Sequence, residues 1–91
     1  MKNLILSLSI VSLVSAKNFD NESFNKMNNQ KKFNYCQDRY SLGLSAHNGK
    51  ENHKKHPDFI KEQKICCSGI DSSMLSSDEK YIYDNEWDCT K

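Results

Sequence analysis

"KICCSGIDSS", Lys64 to Ser73, puts two of the chain's four cysteines side by side. A bridge between Cys66 and Cys67 themselves is disfavoured. Bridged cysteines keep their Cα atoms 4.4–6.8 Å apart, whereas neighbours across a trans peptide sit at about 3.8 Å. The two sulfurs therefore go elsewhere. One pairs with Cys36 and the other with Cys89, and the sequence leaves open which of Cys66 and Cys67 takes Cys36. A zinc site is the weaker reading, because adjacent cysteines lack the two-to-four-residue spacer that lets thiolates converge on one ion.

Upstream of this junction, "PDFIKEQKICC" (Pro57–Cys67) has a helix-opening proline, an acidic residue in the first turn and apolar residues at helical spacing. This stretch reads as a helix ending near Ser68-Gly69, with Gly69 available for a left-handed C-terminal cap. Phe33, Cys36, Tyr40 and Leu44 recur at three- and four-residue steps and predict a second short helix. Between the two, Ser45 to His56 is polar with an Asn48-Gly49 turn signal and reads as a surface loop.

Downstream, Ser76-x-x-Glu79 has the form of a capping box. The following "KYIY" favours a strand, with Tyr81 and Tyr83 on one face and Ile82 on the other. The expected fold class is thus a small disulfide-stabilised α+β domain, loop-rich, with one or two short helices and a short C-terminal strand.

The chain opens "MKNLILSLSIVSLVSA", a basic start, an apolar stretch and a small-residue end. This pattern describes a secretory signal peptide over residues 1–16, cleaved between Ala16 and Lys17. The apolar stretch is too short for a spanning helix of about 20 residues. Residues 17–32 are rich in Asn and Lys and read as a flexible N-terminal arm, with Asn21-Glu22-Ser23 as an N-glycosylation acceptor. Residues 33–91 form the stapled domain. Without Lys2, 12 basic side chains face 12 acidic ones. A neutral chain has no general attraction to nucleic acid or anionic membrane.

After Ala16 the chain holds eleven Leu, Ile and Phe residues and no valine, so aliphatic core material is scarce. Two disulfides closing loops of this size contribute about 3–4 kcal/mol each in the chain-entropy model. A staple of that kind is what domains of about 70–80 residues or fewer usually carry.

For function, the residues point away from catalysis. Ser, His and Asp are plentiful, but no G-x-S-x-G elbow or other local signature organises them. His53 and His56, at i, i+3, are weak candidates for a metal, since Lys54 and Lys55 between them repel a cation. No cofactor is expected. Tyr81, Tyr83 and Trp87 are the candidate binding surface, Tyr and Trp being enriched at interface hot spots. The expectation is a secreted, extracellular, monomeric effector- or toxin-like ligand that is not an enzyme and binds a protein or cell-surface macromolecule. A peptide precursor cut at Lys31-Lys32 and Lys54-Lys55 is the alternative, and a small secreted hydrolase is third.

Overall fold

A computed structural model describes residues 18–91; the signal-peptide reading and its cleavage site at Ala16 and Lys17 lie outside the described residues. Every element among the described residues is helical. They run α1 (Asn21–Lys26), α2 (Asn29–Ala46), α3 (Lys50–Lys55), α4 (Pro57–Gly69), a 3₁₀ turn (Ser72–Met74), α5 (Ser77–Tyr81) and a π-helical turn (Ile82–Glu86).

The frame is the antiparallel pair α2 and α4. Along it, Lys32 Nζ donates to Gly69 O at 3.2 Å, Cys36 is bridged to Cys66, and Arg39 makes a two-pronged ion pair with Glu62 at 3.0 and 2.8 Å. Tyr40 then meets Phe59 at 6.0 Å between ring centroids. Residue numbers rise on one helix as they fall on the other, so one face of each helix is used throughout. The spacing Phe33, Cys36, Tyr40 is the buried stripe of α2, as its periodicity requires.

The adjacent cysteines resolve into two bridges, Cys36–Cys66 and Cys67–Cys89. Successive residues of a helix project about 100° apart. Cys66 therefore faces α2 while Cys67 faces the C-terminal segment. That segment is bonded to α4 twice more: Tyr83 Oη donates to Cys67 O at 2.7 Å, and Gln63 Nε2 donates to Trp87 O at 2.7 Å.

The expected α+β class is overturned, because no strand occurs among the described residues. The capping box at the start of α5 is fully formed: Ser76 Oγ accepts from Glu79 N and Glu79 Oε1 accepts from Ser76 N. It commits the chain to a helical start, against the β propensity of "KYIY". The helix then widens, with Trp87 N–H reaching Ile82 O at 3.0 Å, a π-type bond. This wider turn brings Tyr83 and Trp87 onto one inward face, where alternation would have put Tyr81 beside Tyr83.

Three other expectations change. Residues 17–32 carry α1 and the first turn of α2, and Phe24 at 1% exposure is the most buried large side chain. The loop between Ser45 and His56 contains α3, with the turn confined to Asn48 (φ 60°) and Gly49 (φ 110°). Gly69 is the last residue of α4 with no left-handed backbone. It is glycine for a different reason: a Cβ there would overlap the Phe24 ring.

The core explains how so few aliphatic residues suffice. Its buried members are Phe24, Phe33, Tyr40, Phe59, Tyr83 and Trp87 with Cys36, Cys66 and Ile70. Six of the nine aromatics are inside, and each buries about 150–250 Å². Ile70 is the one aliphatic residue fully enclosed among the described residues.

Candidate functional site

The described residues bring the chain's three histidines together at the end of the α2–α4 pair that α3 connects. His47 is the C-cap of α2, His53 lies on α3, and His56 is the N-cap of α4. The segment between His47 and His56 folds back as α3, which brings the two flanking histidines side by side.

His53 is a core residue, 5% exposed. Its ring packs at 5.4 Å from Tyr40 and 4.9 Å from Phe59. It lies over Gly43, where a Cβ would overlap the imidazole. Burial, then the His47 charge, pushes His53 below the usual histidine range. Its Nδ1 faces His47 Nδ1 at 2.9 Å, a bond that carries one proton between two nitrogens.

His47 and His56 are stacked, 3.8 Å between centroids and 9° between planes. His56 Nδ1 accepts from Asp58 N–H at 3.1 Å, capping α4, and lies 3.6 Å from Asp58 Oδ2. One ligand atom each from His47, His56 and Asp58 falls within 4.8 Å of the others. Of the two lysines between His53 and His56, Lys54 is engaged elsewhere, paired with Asp88 at 2.8 Å.

The residues named from the sequence divide differently. The two weak metal candidates, His53 and His56, are separated by role, with His53 buried and His56 partly exposed. His47 completes the group, and three histidines and an aspartate within twelve residues were the available signal. The aromatic surface is dismantled. Tyr83 (8% exposed) and Trp87 (3%) are core, which leaves Tyr81 at 61%. Asn21 is exposed at the first turn of α1, where Ser23 Oγ donates to Asp20 Oδ2 at 2.8 Å.

Both dibasic pairs are helical, Lys31-Lys32 in α2 and Lys54-Lys55 in α3. Nicking proteases prefer exposed loop tips. A crevice of about 20 Å³ is lined by Tyr40, His53, Glu62 and Trp87 among others. That volume is about what one water needs. No helix among the described residues is long and apolar enough to cross a membrane. The chain matches no family model, no curated protein and no solved structure.

Proposed function

We propose that the chain is a secreted, disulfide-stapled helical protein that acts by binding another macromolecule. The observation that carries this reading is the exposure of large apolar side chains on a scaffold held by two bridges. Met74 is 67% exposed and Tyr81 61%. Both belong to the segment that the formed capping box and the Cys67–Cys89 bridge hold in place. Exposed anchors on an ordered frame cost little entropy to bind, which is how small ligands reach useful affinity.

The test is capture from extracts of candidate target cells with the oxidised protein, alongside Met74→Ser and Tyr81→Ser. A partner held by the parent protein and lost by either variant supports the reading. No specific capture, or capture unaffected by both changes, removes it. Intact mass of the secreted material tests the export step, with a chain starting at Lys17 expected.

A further inference from the structure

We propose that His47, His56 and Asp58 bind a borderline divalent transition metal, zinc or copper(II), with His53 as the residue that positions His47. This goes beyond the binding role above and does not depend on it.

The donor set fits such an ion: imidazole nitrogens with one carboxylate suit zinc and copper, whereas calcium and magnesium take all-oxygen shells. One edge of the group is near the required size before the rings move. Ligands about 2.0–2.1 Å from a tetrahedral ion lie about 3.3–3.5 Å from each other. His56 Nδ1 and Asp58 Oδ2 are 3.6 Å apart. His56 is the N-cap of α4 and Asp58 lies in its first turn, on either side of Pro57, so the start of the helix brings the two side chains together.

His53 supplies what metal-bound histidines usually have, a fixed acceptor for the second ring N–H. In the loaded site His47 would donate its Nδ1–H to His53 Nδ1, which lies 2.9 Å away. With Nδ1 held in that bond, Nε2 is the His47 nitrogen left for an ion. Gly43 makes the arrangement possible by leaving room for the His53 ring. His53 touches no ion and acts only through His47.

The site must open slightly to load. Lone pairs of imidazoles lie in the ring plane, and planes 9° apart do not meet near the rings. The His56 ring has to turn out of the stack, and its side chain is 40% exposed. What it gives up is the cap hydrogen bond to Asp58 N–H. The positive end of the α4 dipole opposes a cation there, and the Asp58 carboxylate offsets it. Three protein donors leave a fourth position for water.

Zn²⁺ alone, titrated into the full oxidised protein at neutral pH, tests this by heat and by the NMR signals of the histidine rings. A single saturable site is expected, with His47 and His56 signals moving first and Mg²⁺ producing neither effect. His56→Asn keeps an N-cap acceptor while removing the imidazole, so it separates ligand loss from helix loss. That variant and His47→Ala should abolish saturable binding with the helical circular dichroism unchanged. His53→Phe keeps a buried ring and should weaken Zn²⁺ by about 10–100-fold, as loss of an outer partner does. No saturable heat with the parent protein, or unchanged affinity in both His47→Ala and His56→Asn, overturns the proposal. Loss of binding only where circular dichroism shows loss of helix also overturns it.

Discussion

The Phe24 ring occupies the space that a side chain on Gly69 would need. It joins the N-terminal helix α1 to the end of α4, and no other large side chain among the described residues is as deeply buried. Gly69→Ala gains up to about 1 kcal/mol of helix propensity. It also overpacks a full site, which typically costs about 1–3 kcal/mol. The net expectation is a lower unfolding midpoint. Phe24→Ala leaves a cavity and should cost about 3–5 kcal/mol. The double variant should lose less than the two single losses together, because the methyl group added on α4 then occupies part of the space vacated by the ring. Urea titrations of all three give the coupling, and strict additivity would show that the two residues do not share one site.

The two disulfides should be separable. Cys36–Cys66 locks α2 to α4, and Cys67–Cys89 holds the C-terminal turn onto α4. They span sequence separations of 30 and 22 residues, for which chain entropy predicts about 3–4 kcal/mol each. Paired Cys→Ala replacement of the second bridge should still leave the α2–α4 pair helical, since Arg39–Glu62 and the Tyr40–Phe59 contact remain. Amide exchange then reads the difference. Protection should vanish around Tyr83 and Trp87 while surviving in α2. Uniform loss of protection would mean that the C-terminal turn is part of the same cooperative unit.

Arg39 and Glu62 lie one turn from the Cys36–Cys66 bridge, with side chains only 17% and 18% exposed. A two-pronged guanidinium–carboxylate pair sheltered this far exceeds the roughly 0–1 kcal/mol of an exposed pair. Glu62→Gln should cost about 1.5–3 kcal/mol, the range for hydrogen bonds to charged groups. Replacing both with Met and Leu should recover part of that loss, because no charge is then left sheltered without its partner. Thermal melts of the single and double variants decide it: a double variant as unstable as Glu62→Gln would assign the effect to packing instead.

What could be read from the residues was what local rules determine. Pro57, Asp58 and the apolar spacing that follows gave α4, and Phe33, Cys36 and Tyr40 gave the buried face of α2. Backbone geometry at Cys66 and Cys67 disfavoured a vicinal bridge and made the pair a junction. The failures were cases where a distant partner decides. Phe24 looks like an isolated apolar residue in a polar arm until Gly69 is seen to receive it. His53 looks like a solvated loop residue until Gly43, Tyr40 and Phe59 enclose it. At Tyr81-Ile82-Tyr83, a strand and a widened helix make opposite claims on the same three residues. The capping box at Ser76 and Glu79 was legible, and it was the better guide because it satisfies backbone groups directly.

Asp88 gives the fold a predictable acid sensitivity. It holds a left-handed backbone (φ 57°) just before Cys89 and pairs with Lys54 at 2.8 Å and Lys91 at 3.3 Å. The hydrogen bond from Lys54, helped by Lys91, holds its carboxyl below the usual carboxylate range. A carboxyl depressed on folding binds fewer protons in the folded state than in the unfolded one. Its contribution is therefore complete above the ordinary value of about 4 and is lost as the pH falls through the lower folded value. Asn tolerates the same left-handed backbone, so Asp88→Asn removes the charge without straining the turn. The unfolding midpoint of the parent protein should exceed that of Asp88→Asn at about pH 5 and above by a constant margin, then converge with it below about pH 4. A margin that persists unchanged to about pH 2, below the ordinary carboxylate range, would mean that the Lys54 pair does not carry the effect and that the backbone at residue 88 does.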